Sequence, residues 1–204
     1  NSDYNGAVQE GIGMTQVTIN KGRRMSTAYC YLDPARDCAN LRIQTGALTE
    51  ALILDGTKCL GVRYTIDGVA QEAHAGRAVI VSAGAVNSPQ LLELSGIGQP
   101  EILKRHGIEV HHALAGVGEN LRDHYAPRMM WKVYAPGLTY NDKARGVKMV
   151  WQALRYATTG KGLLGLPASP VRAYVRSREG LDSPDIGISW IPFLVQDGYK
   201  LHND

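Results

Sequence analysis

Hydrophobic and polar positions change their spacing along this chain, and each change predicts a different kind of structure. Residues 1–40 have many glycines and few long periodic stretches, which predicts mostly loop with a short helix near residues 26–31. Residues 41–82 have short apolar runs separated by turn residues, which predicts β-strands at 41–46, 48–54, 59–66 and 69–75. Turns are predicted at Asp55-Gly56 and Asp67-Gly68, because these residues tolerate a positive φ.

The spacing becomes helical after Gly84. The apolar run 78–81 just before it predicts a strand that is buried on both faces. Ser88 is predicted to be the N-cap of a short helix with Pro89 at its first position, and Gly96 is predicted to end it in the left-handed conformation. The segment therefore predicts a buried strand, a tight turn of small residues and a helix.

A third pattern begins near His124. Apolar residues at helical spacing predict a helix over about 142–158, with Asp142 as its cap and Gly160 at its end. Two further strands are predicted at 171–177 and 185–193.

Composition limits the class of protein. The chain has 204 residues, of which 44% are hydrophobic and 20% charged, as is typical of a soluble globular protein. The net charge of +3 is spread over the chain, which argues against nucleic acid as a partner. No apolar run approaches the roughly 20 residues that span a bilayer, and the N-terminus does not resemble a signal peptide. The three cysteines follow no metal-binding or disulfide pattern, so we expect reduced thiols and a cytoplasmic protein.

A helix that begins where a buried strand ends can bind an anionic cofactor with its N-terminal N–H groups. The alternative is that Gly84 and Ala85 are small only because the helix packs closely on the sheet. The residue pattern alone leaves both interpretations open.

The run GAVNSPQLLELSGIG, residues 84–98, resembles the second signature of the glucose–methanol–choline (GMC) oxidoreductase family. Segments similar to the same family occur in the family's order along nearly the whole chain, and they resemble the choline dehydrogenase-like branch most. The matching signature positions are Gly84, Ala85, Ser88, Pro89, Leu91, Leu92, Ser95, Gly96, Ile97 and Gly98.

The resemblance implies an α+β flavoprotein. Residues 1–124 would be part of an FAD-binding domain with a β-meander, and residues 125–204 part of a substrate-binding domain with an antiparallel sheet. In the family, bound FAD takes a hydride from the carbinol carbon of a small-molecule alcohol while a base takes the hydroxyl proton.

Cofactor-binding positions follow from the same resemblance. The backbone of Ala47 and Leu48 matches the strand that touches the adenine, and Ala83 and Gly84 match the turn beside the dinucleotide. Residues 120–124, with the candidates Asp123 and His124, match the crossing between the two domains. Asn5 lies in a segment that matches the isoalloxazine side.

Two parts of the family pattern have no match in these residues. They are the GxGxxG unit that holds the pyrophosphate and the segment with the catalytic histidine. The resemblance therefore predicts the middle of a larger enzyme, inactive by itself, with no catalytic residue and no metal site among these residues. Uncovered apolar surface would lead either to self-association or to rearrangement. A non-catalytic binding module is the alternative function. The alcohol, the electron acceptor and any membrane association of the parent enzyme stay open.

Overall fold

The computed structural model describes residues 1–193, 195–196 and 200–201. The chain forms two compact units, one of residues 1–41 with 128–204 and the other of residues 42–127. Helices are combined with sheets that are antiparallel except for one short parallel pair, so the predicted α+β class is confirmed. The division into a cofactor and a substrate domain at residue 124 stays a prediction.

The unit of residues 42–127 contains a three-stranded antiparallel meander. Its strands are β4 (Leu48–Asp55), β5 (Lys58–Ile66) and β6 (Val69–His74), in the order β4-β5-β6. Gly56, Asp67 and Gly68 have φ values of 55°, 50° and 80°, which confirms the positive φ expected at both turns. Residues 41–46 were predicted as a strand but form none.

Two helices and a short parallel pair complete this unit. They are α2 (Gly84–Leu94), β7 (Ile97–Gly98), α3 (Pro100–Arg105) and β8 (His112–Ala113), and β7 pairs with β8. The side chains of Leu91, Leu103 and Val117 are buried together with Ser95 and form the core. Their burial stabilises the unit by the removal of apolar surface from water.

The turn after α2 joins three elements. The buried Ser95 hydroxyl donates to the Leu91 carbonyl (2.6 Å) and accepts from the Leu52 N–H of β4 (2.8 Å). Gly96 has φ +78°, as predicted, and its carbonyl accepts from the N–H groups of His111 (2.9 Å) and His112 (3.1 Å). A side chain at Gly96 would lie 2.3 Å from the Glu109 carbonyl oxygen, so the backbone approach requires glycine.

The prediction of a buried strand at 78–81 is wrong. These residues pair with no strand in the described part of the chain, and Ile80 is 87% exposed. A strand buried on both faces needs neighbouring strands and covering helices, and none of the described residues provides them. The run therefore leaves apolar surface uncovered at Ile80, while Val79 and Val81 are half-buried.

The predicted start of α2 is also wrong. The helix begins at Gly84, so Ser88 and Pro89 lie inside it. The Ser88 hydroxyl accepts from the Ala83 N–H (3.0 Å), and it therefore bonds backward to the residue before the helix instead of capping a helix that starts after it. Pro89 is tolerated within the second turn, although it has no N–H to donate to the preceding turn.

The other unit contains a sheet that the sequence predicted only in part. The order is β1-β9-β10, from β1 (Gly11–Met14), β9 (Val171–Val175) and β10 (Ile186–Trp190), all antiparallel. β9 and β10 confirm two predicted strands. β1 falls in the predicted loop, because its two glycines give it little intrinsic strand preference and pairing with β9 decides its conformation.

Further elements accompany this sheet in the chain. A helix-like turn at Ala28–Leu32 runs into α1 (Asp33–Ala35), close to the predicted helix. The remaining elements are β2 (Ile19–Asn20), β3 (Arg23–Arg24), α4 (Tyr140–Lys143), α5 (Gly146–Thr159), a 3-10 turn (Leu163–Gly165), β11 (Val195–Gln196) and β12 (Lys200–Leu201).

The long predicted helix is confirmed with a later start. Asp142 does not cap it but belongs to α4, where the Thr139 hydroxyl accepts the Asp142 N–H (3.2 Å). α5 begins at Gly146 and ends at Gly160, whose φ of 64° is the predicted left-handed stop. The last predicted strand, 185–193, extends partly beyond β10, and its final residues are not strand.

Replacing Gly96 by alanine tests the turn that joins α2 to the meander. Gly107 provides a matched control, because it also follows a helix with positive φ (70°) but has open space where a Cβ would stand. We expect Gly107→Ala to lower the free energy of unfolding by about 1 kcal/mol from backbone strain alone, and Gly96→Ala by at least about 2 kcal/mol more from the backbone clash. Urea denaturation of both variants measures this difference, and equal losses would contradict the close approach.

Candidate cofactor site

Six of the seven predicted site residues lie in the unit of residues 42–127. Ala47 and Leu48 stand at the start of β4, Ala83 and Gly84 at the start of α2, and Asp123 and His124 near the end of the unit. Asn5 lies in the other unit. β4 and α2 pack against each other through the Ser95 hydroxyl and the Leu52 N–H, so two of the predicted segments belong to one packed body.

β4 is an edge strand of the meander within the described residues. On one side it pairs with β5, where Leu48 stands opposite Thr65, while its other side has no strand neighbour. The Leu48 side chain is 68% exposed. An edge strand presents backbone N–H and C=O groups that can bind another strand or a planar heterocycle. The position is therefore accessible in the way that a backbone contact to a ligand requires.

The turn before α2 is equally accessible. Ala83 and Gly84 are both exposed, and Gly84 has φ +92°. A Cβ at Gly84 would meet no atom within 4 Å, so the described residues leave open space there. Among the described residues no packing contact requires a small residue at Gly84, whereas its backbone conformation favours glycine.

The start of α2 has the electrostatic character of an anion site. The helix has 11 residues, and its first turn contains no acidic side chain. Its first backbone N–H groups have no partner within the helix, and the helix dipole adds partial positive charge. The Ser88 hydroxyl already accepts the Ala83 N–H, which fixes the turn that leads into the helix.

Asp123 and His124 are exposed, with side chains 94% and 100% accessible. The Asp123 carboxylate accepts the His124 N–H (2.7 Å), and His124 Nδ1 lies 3.8 Å from the same carboxylate oxygen. Among the described residues no group of three or more histidine, cysteine or acidic side chains could hold a metal ion. The contact orients the two side chains only locally.

Asn5 is held in a loop that a buried tyrosine anchors. The Asn5 N–H donates to Asp3 Oδ1 (3.0 Å), and its side-chain amide donates to Gln16 Oε1. Tyr4 is buried, its hydroxyl accepts the Gln16 N–H (2.7 Å), and its ring centroid lies 5.3 Å from that of Tyr174. The contact of Tyr4 with Tyr174 connects residues 170 positions apart that no local pattern relates.

Asp185 shapes the loop between β9 and β10. The Ser177 hydroxyl (2.6 Å) and N–H (2.8 Å) both donate to the Asp185 carboxylate. These hydrogen bonds, the hydroxyl's first, lower the pKa of Asp185 below its ordinary value. Arg176 Nε donates to the Leu181 carbonyl (2.7 Å) across the same loop. The bonds from Ser177 and Arg176 hold this loop together.

Residues 1–126 match the family model described as GMC oxidoreductase, which is more than half of the chain. The chain therefore belongs to the GMC oxidoreductase family, as the signature segment indicated.

Curated relatives agree with this assignment. The oxygen-dependent choline dehydrogenase of Photobacterium profundum is 37% identical over 194 residues, which cover 95% of this chain and 34% of the relative. The mitochondrial choline dehydrogenase of Homo sapiens is 35% identical over 209 residues, which cover 98% of this chain and 35% of the relative. The chain thus spans about a third of the length of the curated relatives it matches.

Solved structures show the same fold. A formate oxidase variant of Aspergillus oryzae superposes with a TM-score of 0.75 at 21% identity. The match covers 91% of this chain and 36% of the oxidase chain. The pyridoxine 4-oxidase of Mesorbium loti gives a TM-score of 0.66 at 24% identity. The match covers 95% of this chain and 35% of the oxidase chain. These similarities support the arrangement of helices and sheets described above.

Valine substitutions at the turn separate backbone strain from side-chain size. Gly84→Val forces a branched residue to φ +92°, so we expect the cofactor-free chain to lose about 1–3 kcal/mol of unfolding free energy. Ala83→Val should cost less than about 0.5 kcal/mol, because Ala83 has φ −83° and is exposed. Thermal and urea unfolding of the two variants provide the measurement. If Gly84→Val had the same unfolding free energy as the wild type, the requirement for glycine at this position would be wrong.

Proposed function

We propose that this chain is part of an FAD-dependent oxidoreductase that oxidises the CH–OH group of a small alcohol to an aldehyde. Membership of the GMC oxidoreductase family supports the proposal, as do relatives whose names describe choline dehydrogenases. One solved neighbour is described as an FAD-dependent oxidoreductase from Chaetomium thermophilum. A choline-like alcohol is the substrate that these names favour.

The observation that carries the proposal is the open turn at Gly84. Its positive φ and the free space beside it leave room for a ligand against the backbone, directly before a helix without an acidic first turn. An anionic dinucleotide fits such a place, because backbone N–H groups can donate to its oxygens without a side chain in between. When bound, FAD would supply the acceptor of the hydride that leaves the carbinol carbon.

The chain's own residues would bind and orient this cofactor. We assign Ala47 and Leu48, at the edge of β4, to backbone contacts with the adenine, and Ala83 with Gly84 to the dinucleotide. Asp123 and His124 would lie at the crossing toward the substrate domain, and Asn5 on the isoalloxazine side. The exposed edge strand and the exposed turn suit the first two assignments, since both leave backbone groups accessible.

Location and partners are part of the same proposal. We expect a small-molecule alcohol and no nucleic acid as ligands, and a cytoplasmic enzyme that can associate with membranes in its longer form. No described helix is both long and apolar enough to pass through a bilayer.

A non-catalytic binding module is the second candidate. The exposure of Ile80 within the apolar run 78–81 favours it, because uncovered apolar surface marks sites where another chain binds. The two functions differ in their requirement for flavin.

Flavin content and turnover test the proposal. We expect a longer natural protein that contains this sequence to show flavin absorbance in the visible and to reduce a dye when an alcohol such as choline is added. The 204-residue chain alone should show no turnover, because no proton acceptor is assigned within it. Turnover by the chain alone would contradict this assignment, and a colourless, inactive longer protein would favour the binding module.

Proline substitutions test the adenine contact in that longer protein. Leu48→Pro removes an N–H at the first residue of edge strand β4, and Val69→Pro does the same at the first residue of edge strand β6. We expect Leu48→Pro to weaken FAD retention at least about tenfold, the effect of about 1.4 kcal/mol. Val69→Pro should leave retention unchanged, with both read from flavin absorbance after dialysis. If the two variants retained FAD equally, the proposed adenine contact at Ala47 and Leu48 would be wrong.

A further inference from the structure

Buried side-chain polar atoms without a hydrogen-bond partner are few among the described residues. They are Thr15 Oγ1, Arg172 Nε and the Tyr140 hydroxyl. Such atoms are rare in folded proteins, because a polar group that leaves water without gaining a partner costs free energy. Thr15 and Arg172 belong to the same compact unit and to neighbouring strands of the β1-β9-β10 sheet or the residue next to them. Their placement therefore indicates a polar site on this sheet.

Strand pairing places the Arg172 and Thr15 side chains on one face of the sheet. Arg172, on the central strand β9, stands opposite Gly13 of β1 and Ser189 of β10. Thr15 comes two residues after Gly13, and its N–H donates to the Pro170 carbonyl (2.9 Å), so the pairing continues to this position. Residues directly opposite each other share a face, and so do residues two positions apart. Arg172 and Thr15 are therefore diagonal neighbours on the same face.

Arg172 has a half-buried positive charge and no carboxylate partner among the described residues. Its Nη1 donates a long hydrogen bond to the Tyr174 hydroxyl (3.5 Å). Arg176, four residues later, differs because it pairs with the Glu10 carboxylate and donates to the Leu181 carbonyl (2.7 Å). A guanidinium has five N–H donors, and a buried charge is costly unless an opposite charge pairs with it. Arg172 is therefore suited to bind an anion.

Small residues on β10 leave room beside this guanidinium. Gly187 stands opposite Tyr174 and Ser189 opposite Arg172, and both β10 residues are exposed. A Cβ at Gly187 would lie 3.4 Å from Tyr174 Cε1, so the tyrosine ring lies close to the glycine. The β10 side of the face is therefore open to a ligand, with an aromatic ring beside the opening.

The N-terminal loop covers the β1 side of the same face. A Cβ at Gly13 would lie 2.5 Å from the Asn1 carbonyl oxygen and 3.5 Å from Tyr4 Cδ1. The Tyr4 ring also packs against the Tyr174 ring, with 5.3 Å between the centroids. Asn5, the next residue, is the one that we assign to the isoalloxazine side. The open part of the face therefore adjoins the loop assigned to the flavin.

We propose that Arg172 binds a carboxylate of the alcohol substrate. The Nε–H and a neighbouring Nη–H can donate two parallel hydrogen bonds to the two carboxylate oxygens. The Thr15 and Tyr174 hydroxyls can donate to the same group. The proposal rests on the proposed function and specifies its substrate as an alcohol that also carries a carboxylate. A choline-like alcohol fits this site less well, because a guanidinium repels a quaternary ammonium.

Two other partners of Arg172 are outcomes of the test. An acidic side chain of a longer protein could pair with it, since this chain spans about a third of the length of its curated relatives. A phosphate of the cofactor is the second. The substrate is favoured because the opening at Gly187 and Ser189 adjoins the loop that contains Asn5, and the carbinol carbon has to approach the flavin.

Matched substrates test the charge requirement in the longer natural protein that contains this sequence. Straight-chain alcohols with a terminal carboxylate are compared with their primary amides, which have nearly the same shape and no charge, and with choline. Dye reduction by the flavin-containing protein gives kcat/KM for each compound. We expect the best hydroxy acid to exceed both its amide and choline at least about tenfold, the effect of about 1.4 kcal/mol.

Matched arginine variants locate the contact. Arg172→Met should raise the KM of the hydroxy acid at least about tenfold with kcat unchanged, and it should leave the amide unaffected. Arg178→Met removes the same charge at an exposed position after β9 and should change neither substrate. Arg172→Lys should retain part of the preference, since lysine binds a carboxylate as a point charge. Circular dichroism and flavin content check folding, and the comparison of acid with amide on the unaltered protein decides the test if Arg172→Met misfolds.

Several results would overturn the carboxylate site. A flavin-containing protein that oxidises no hydroxy acid faster than its amide or choline would do so and leave the proposed function intact. Loss of flavin from Arg172→Met, with the preference for acid over amide retained, would identify the cofactor as the partner. Loss of stability with the same retained preference would identify an acidic side chain of the longer protein. A longer protein with neither flavin nor turnover would contradict the proposed function as well.

Discussion

The unit of residues 42–127 depends on one buried hydroxyl and the glycine that follows it. Ser95 accepts the Leu52 N–H of the meander and donates to the end of its own helix, so the sheet and α2 are held by the same oxygen. Gly96 then turns the chain so closely that the Glu109 carbonyl occupies the place of a side chain. These contacts set where α2 points, and with it the position of the candidate cofactor turn at the other end of the helix.

The candidate site consists of backbone more than of side chains. Gly84 leaves open space at the start of α2, and β4 leaves one strand edge accessible. Backbone groups on a packed strand and helix are positioned by the core and lose little freedom on binding, which suits recognition of a large cofactor. Because Leu91, Leu103 and Val117 are the core of this unit, substitutions there are expected to act on the site through the orientation of α2.

Exposed apolar surface occurs in both units, but its character differs. The run 78–81 is not strand, although its apolar pattern is typical of a strand in the interior of a sheet. Helix α5 instead exposes Val147, Val150, Trp151 and Leu154 beside the cationic side chains of Lys148 and Arg155. The two surfaces differ in the charged side chains beside them, because both of them expose apolar area.

Local pattern determined much of this protein by itself. The segment Gly84–Gly98 identified the family, the meander strands followed from short apolar runs between turns, and Gly96 and Gly160 ended their helices as predicted, because these features depend on residues close in sequence. Tertiary structure decided the rest. β1 exists because β9 pairs with it, α2 starts at Gly84 because the Ser88 hydroxyl bonds backward to Ala83, and residues 78–81 form no strand because strand hydrogen bonds require neighbours. The cofactor assignments of Leu48 and Gly84 come from resemblance, and the fold adds that both positions are open to a ligand, since exposure is a property of packing and not of the local sequence.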